Sequence, residues 1–232
     1  MHDTAAIIVA AGDSTRMKLG NNKNYIEHDG RMLLSYTISA FDRCPLVDRI
    51  VIVIKSTEKD YAQKAAAQSG THKPVIFAEG GDTRQQSVFS GLNAASGSGY
   101  VAIHDGARCL ITPSDISEVL TRCYETGAAT LARHMTDTCV RVSGDGREVE
   151  DYLDRSRIAA IETPQCFEYD RILLAHRKAE EECFSGTDDT GIYRRYIGSV
   201  ELVYGAGKNM KITEPGDLET AEAILRLREE RK

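Results

Sequence analysis

The chain lacks the features that would mark it for a membrane, an export route, a metal centre or a nucleic acid. Its longest uninterrupted apolar run, Ala5 to Ala11, is far too short to span a bilayer. His2 and Asp3 stand before that run, where a signal peptide would carry basic residues, so no signal peptide is expected. Cys44, Cys109, Cys123, Cys139, Cys166 and Cys183 are scattered, with no Cys-x-x-Cys pair, and no two histidines stand four apart. That spacing argues against zinc and fits free thiols in a reducing cytoplasm. Positive charge is not in excess: 29 Lys and Arg face 35 Asp and Glu, a net charge of −6, so general nucleic-acid binding is not expected. Two common phosphate loops are missing as well. No Gly-Lys-Ser/Thr tripeptide occurs, and the first loop carries only Gly12 of the three glycines of a dinucleotide fingerprint.

What remains is a globular composition, 41% hydrophobic and 28% charged over 232 residues, enough for one α/β domain with a full core. Continuous apolar runs at Ala5–Val9, Ile50–Ile54, Pro74–Ala78 and Tyr100–His104 alternate with helical periods at Leu33–Cys44, Tyr61–Ser69, Gln85–Ala95 and Ser114–Thr126. Ser114, following Pro113, reads as the cap of the last. Runs of this kind predict a mostly parallel sheet covered on both faces. Between Leu131 and Thr163 the pattern changes. Thr138–Val142 and Arg147–Leu153 alternate around the turn Ser143-Gly144-Asp145-Gly146, which predicts an inserted β-hairpin arm at about residues 136–155. A hairpin without its own core needs something to pack on, and a second subunit would serve. Helices at Arg171–Glu182, Asp188–Tyr196 and Gly216–Arg231 and a strand at Val200–Tyr204 complete the reading.

Five segments carry chemistry. The first strand opens into Ala10-Ala11-Gly12, followed by Arg16 and Lys23: small residues that let backbone N–H groups approach phosphate oxygens, and two cations to hold them. An ordinary strand-to-helix turn with surface cations would look similar. Asp105, at a predicted strand end, suits a Mg²⁺ ion that also takes phosphate oxygens; its plainer reading is an N-cap or a salt bridge to Arg108. His104 beside it reads as a packing or hydrogen-bonding residue. In Glu79-Gly80-Gly81-Asp82-Thr83-Arg84, paired glycines permit close approach to a flat ring, with Ser87 in reach of a base edge. Lys211 leaves a strand end just before the last helix. Asp154-Arg155, Thr163-Pro164-Gln165 and Thr187-Asp188-Asp189 are individually bland, and the helix dipole alone would explain the last.

In this order the segments resemble the 2-C-methyl-D-erythritol 4-phosphate cytidylyltransferase family, over nearly the whole chain from Ala5 to about Ala221. The resemblance implies a single Rossmann-like nucleotidyltransferase domain that transfers CMP from CTP to methylerythritol phosphate and releases diphosphate. It implies Arg16, Lys23 and Lys211 as catalytic cations. Ala10, Ala11 and Gly12 would line the CTP phosphates, Gly81, Asp82 and Ser87 the cytosine, and Gly106, Ala107 and Arg108 the ribose. Asp105, Thr138, Arg155, Thr163 and Thr187 would hold the acceptor, a small polyol phosphate, with Asp105 also placing Mg²⁺. The hairpin would embrace a second subunit in a cytoplasmic homodimer, with no nucleic-acid or membrane partner. The nucleophile is a phosphate monoester, mostly ionised at neutral pH, so no general base is required. The chain departs from the family at Ser14, usually Gly; at Asn22 and Asn24, which flank Lys23 where Pro and Gln are usual; and at Cys109, usually Pro. Two other readings stand beside this one: a ribitol 5-phosphate cytidylyltransferase, which Asp154-Arg155-Ser156-Arg157 fits less well, and a non-catalytic protein that binds CTP or a sugar phosphate.

Overall fold

The computed structural model describes residues 2–12, 22–205 and 208–230. Arg16 and Ser14 lie outside these. Strand β1 (Thr4–Val9) is followed by a short pair, β2 (Glu27–His28) and β3 (Arg31–Met32), and then by α1 (Leu33–Asp42). Next come β4 (Arg49–Ile54), α2 (Lys59–Ser69), β5 (Val75–Glu79), α3 (Arg84–Ala94), β6 (Tyr100–Asp105) and α4 (Pro113–Thr126). The chain continues through β7 (Ala128–His134), β8 (Val140–Val142), β9 (Val149–Tyr152) and β10 (Ala159–Glu168). It closes with α5 (Tyr169–Glu181), α6 (Asp189–Tyr196), β11 (Glu201–Tyr204) and α7 (Pro215–Glu229).

Seven strands form one sheet in the order β11-β7-β10-β6-β1-β4-β5. All are parallel except β10, which runs antiparallel to both its neighbours. The α/β, mostly parallel sheet is the expected one. Alternate side chains of β1 point to opposite faces. Ala6 and Ile8 enter one apolar cluster with Leu34, Phe41 and Leu120, while Ala5 and Ile7 enter a second with Val88, Leu92 and Ile172. Apolar residues on both sides of the strands explain why their sequences read as continuous runs.

The sheet places the functional region. From β1 the chain moves to β4 and β5 on one side, then returns to β6 on the other. The carboxyl ends of β1 and β6 therefore meet where the strand order reverses, and open α/β sheets bind ligands at such a point.

Two points go beyond or against the sequence reading. Strands β7 and β10, on either side of the expected hairpin, were not anticipated and belong to the main sheet. Pro164 lies inside β10 where the β7–β10 register shifts, between Ile161 and Gln165. The hairpin itself is β8 and β9, a separate two-stranded sheet. The cap of α4 is Thr112, whose hydroxyl accepts from the Asp115 N–H, with Pro113 at the first helical position.

Candidate functional site

A cleft of about 620 Å³ opens over the carboxyl ends of the central strands. Of the residues expected in a site, Ala11, Gly12, Lys23, Gly81, Asp82, Ser87, Asp105, Ala107 and Lys211 line it. Four segments distant in sequence, at about 11, 81, 105 and 211, thus converge on one concave surface.

At its floor stands Asp105, the last residue of β6. Arg84 Nε donates to Asp105 Oδ1 at 3.1 Å and Lys211 Nζ donates to Oδ2 at 2.8 Å. Arg108 Nε lies 3.9 Å from Oδ2. Burial alone would raise the Asp105 carboxyl. Arg84 and Lys211 outweigh that and hold it far below the usual carboxylate range, so it is ionised throughout neutral pH.

The backbone behind Asp105 is held by a buried chain of hydrogen bonds. Asp105 N–H donates to Thr163 Oγ1 at 3.1 Å. Thr163 Oγ1 lies 3.0 Å from His104 Nδ1, and His104 Nε2 lies 3.2 Å from the Arg108 carbonyl. A carbonyl only accepts, so Nε2 carries the hydrogen, Nδ1 accepts and the Thr163 hydroxyl donates. Burial pushes the His104 ring down to about 3. His104 is therefore a neutral spacer, as its sequence context suggested.

Arg84 is fixed from both sides. Its Nη1 lies 2.9 Å from Asp189 Oδ2, close enough for an ion pair though not aligned as a hydrogen bond. Asp189 is fully buried, and His176 Nε2 lies 3.1 Å from its Oδ1. A line of close polar contacts thus runs His176, Asp189, Arg84, Asp105, Lys211. Neither Arg84 nor Asp189 was expected to function. Asp189 reads in sequence as a helix-start acid, and the N-cap position belongs instead to Asp188. Gln165 joins the two bland motifs: its Oε1 accepts from the N–H groups of Asp189 and Thr190, and its Nε2 donates to Asp188 Oδ2.

The substituted positions are accommodated. Asn22 and Asn24 each donate through Nδ2 to the Ala10 carbonyl, at 3.0 and 3.1 Å, and Asn22 Oδ1 accepts from both the backbone and side chain of Asn24. This network ties the segment carrying Lys23 to the end of β1. Cys109 is buried beside Leu33, Leu110 and Ile212, where a small apolar side chain fits, and burial pushes its thiol up to about 12. All six cysteines are free.

The glycine pair is a packing requirement. A Cβ on Gly80 would fall 2.5 Å from Ala11 Cβ and 2.9 Å from Ser87 Oγ. The turn leads into α3 through a capping box between Thr83 and Gln86.

The other expected residues sit elsewhere. Ala10 and Gly106 are buried in the wall, where Gly106 N–H donates to the Val9 carbonyl. Arg108 Nη1 donates to the Asn209 carbonyl, and Thr163 is buried behind Asp105. Thr138, Arg155 and Thr187 are exposed and do not line the cleft; Arg155 Nη1 donates to the Thr136 carbonyl. The described residues contain no group of three His, Cys, Asp or Glu side chains able to bind a metal alone. No helix among them is long and apolar enough to cross a membrane.

The family described as "IspD: 2-C-methyl-D-erythritol 4-phosphate cytidylyltransferase" matches residues 4–227. A protein of that name from Clostridium acetobutylicum is 40% identical over 222 residues, 95% of this chain and 96% of its own length. One from Caldanaerobacter subterraneus is 41% identical over 226 residues, 97% of this chain and 99% of its own. The crystal structure of a 4-diphosphocytidyl-2C-methyl-D-erythritol synthase from Anaerococcus prevotii superposes with a TM-score of 0.86 at 27% identity, covering 97% of this chain and 99% of that one.

Proposed function

The chain belongs to the 2-C-methyl-D-erythritol 4-phosphate cytidylyltransferase family, and from that membership we infer that it transfers CMP from CTP to methylerythritol phosphate. A phosphate oxygen of the acceptor forms a bond to the α-phosphorus of CTP, the bond from that phosphorus to the bridging oxygen breaks, and diphosphate leaves. The observation that carries the reading is Asp105 held between Arg84 and Lys211 at the floor of a cleft built at the strand switch point.

The work of the site is to bring two polyanions together and to stabilise charge gathering on the α-phosphate. Lys23 and Lys211 line the cleft and are the cations proposed for this, with Arg16, which lies outside the described residues. Asp105 holds the Lys211 ammonium in place before substrate arrives, so little reorganisation is needed when phosphates compete for it. Gly81, Asp82 and Ser87 form one wall, where a pyrimidine ring would lie, and the packed turn at Gly80 limits its room.

Mg²⁺ belongs here as part of the Mg·CTP substrate. Its shell would come chiefly from phosphate oxygens and water. Asp105 could add one oxygen, in competition with Arg84 and Lys211, each of which already donates to one of its two oxygens.

The hairpin supports the proposed homodimer. Val142, Val149, Tyr152 and Leu153 are exposed on or beside two strands that have no core of their own. Thr138 and Arg155 at its base, remote from this cleft, would then serve the partner's acceptor pocket. The free thiols fit the proposed cytoplasmic setting.

The test is diphosphate release by pure protein with CTP, Mg²⁺ and methylerythritol phosphate, with ribitol 5-phosphate in a parallel reaction. Release with methylerythritol phosphate alone is expected. Release with ribitol 5-phosphate alone would overturn the acceptor, and silence in both would overturn cytidylyl transfer.

A further inference from the structure

Outside the cleft, a second cavity of about 320 Å³ lies where α1, the segment after β6 and α7 meet. Three arginines line it: Arg31 from β3, Arg43 just past α1, and Arg228 from α7. No carboxylate does. In a chain of net charge −6 this is an unusual concentration of one sign. Among the described residues none of the three forms a salt bridge. Arg31 lies over the Tyr36 ring, 4.4 Å from its centroid, and its Nε has no acceptor among the described residues. Arg43 Nε donates to the Ser39 carbonyl and Arg228 Nη1 to the Leu110 carbonyl, both neutral acceptors. The carboxylate that Arg228 feels most, Asp115, is engaged with Thr112 and does not line the cavity. Burial and the nearby Arg43 both act to lower Arg228. A fold holds like charges together in this way at a cost, and a bound anion relieves it. Ile111, Pro113 and Leu225 give the rest of the wall an apolar side, beside the hydroxyl-bearing Tyr36, Ser39 and Thr112.

We propose that this cavity is a second, regulatory site for a small organic phosphate, with the phosphate on the arginines and a compact apolar body against Ile111, Pro113 and Leu225. Guanidinium groups suit phosphate because their planar N–H edges match its oxygens two at a time. The site reaches the catalytic cleft through the backbone. Arg228 holds the Leu110 carbonyl, five residues beyond Asp105. Ile212 N–H donates to the Ala107 carbonyl at 3.0 Å, and Ile212 follows Lys211 directly. The buried cluster of Cys109, Leu110, Ile212 and Leu225 lies between the two sites. An anion that draws α7 and the 109–112 segment together acts on the residues that present Asp105 and Lys211. By linkage, CTP must change the affinity for that anion by the same factor that the anion changes the affinity for CTP.

The probe is phenyl phosphate, titrated into the intact protein by calorimetry, with inorganic phosphate in parallel. Saturable binding of phenyl phosphate is expected, tighter than that of inorganic phosphate. It should weaken by about tenfold or more in R31Q/R43Q and persist in K211A. R31Q/R43Q should keep its turnover without the probe, which also shows that it folds. In the wild type the probe should shift the KM for CTP, and in R31Q/R43Q it should not. No saturable binding, binding equal for the two phosphates, or binding lost in K211A and kept in R31Q/R43Q would each overturn the site. Binding with no effect on the KM for CTP would overturn its regulatory role. The calorimetric arm needs no turnover, so its failure is distinct from a failure of the cytidylyl-transfer reading.

Discussion

Removing one buried charge tests the line of ion pairs behind the cleft. Asp189 is fully buried, and its partners are Arg84 Nη1 at 2.9 Å and His176 Nε2 at 3.1 Å. Asp189→Asn keeps the shape and removes the charge, leaving Arg84 with Asp105 as its one remaining counter-ion among the described residues. Breaking a buried pair from one side costs about 3 kcal/mol or more, because the partner's charge stays buried without compensation. In urea that corresponds to a midpoint lower by about 1 M for a chain of this size. The pH dependence gives a second, independent reading. Burial alone would raise the Asp189 carboxyl, but Arg84 and the bond from His176 outweigh it and hold the group below its ordinary value of 3.8. A carboxyl lowered on folding contributes stability that is complete above the unfolded value and is lost as pH falls towards the folded one. The gap between wild type and D189N is therefore full at neutral pH and narrows only as the pH falls below 3.8 towards the folded value. Both proteins should be unfolded at one fixed concentration, since a dimer's stability depends on it. Turnover should fall too, by as much as about 100-fold, because Arg84 no longer holds Asp105 from a fixed position. A gap under about 0.5 kcal/mol at pH 7, within the range of an ordinary surface change, would refute the buried ion pair. So would a gap that stays undiminished as the pH is lowered well below 3.8.

Lys211→Ala should lower kcat by about 10²- to 10³-fold, the loss seen when one donor to a developing oxyanion is removed, with the fold intact by circular dichroism. A change confined to KM would mean that Lys211 only binds. His104 is held down at about 3 by burial against an ordinary 6.5. Its neutral form therefore stabilises the fold fully above 6.5, and that contribution fades as pH falls from 6.5 to about 3. H104Q should flatten the acid slope of the melting temperature across that window, and an unchanged slope would remove His104 as its cause. Gly80→Ala would force a Cβ to within 2.5 Å of Ala11 Cβ. It should destabilise by about 1–3 kcal/mol and raise the KM for CTP, read by thermal melting and steady-state kinetics. Wild-type values for both would show the turn to be looser than its packing.

The amino-acid sequence by itself determined the strand–helix alternation, the mostly parallel sheet and the loops at which ligands meet it. These are local signals. A strand buried on both faces must be apolar throughout, as Ile50–Ile54 is, and a turn beside a phosphate must be small, as Ala10-Ala11-Gly12 is. It also marked Asp105 and Lys211, because each stands at the end of a recognisable element. Only the tertiary structure decided which residues act together. Arg84, Asp105, Asp189 and Lys211 are up to 127 positions apart in the chain, and no periodicity links them; the reversal of strand order beside β1 brings them to one floor. Asp189 looked like a helix-start acid because a sequence cannot report burial, and burial is what makes its charge consequential. Strand β10 stayed hidden for a related reason. Pro164 removes a ladder donor, and only the neighbouring strands show that the register shifts there to absorb the loss. Composition, likewise, counted an acidic chain, while folding gathered three of its arginines around one cavity.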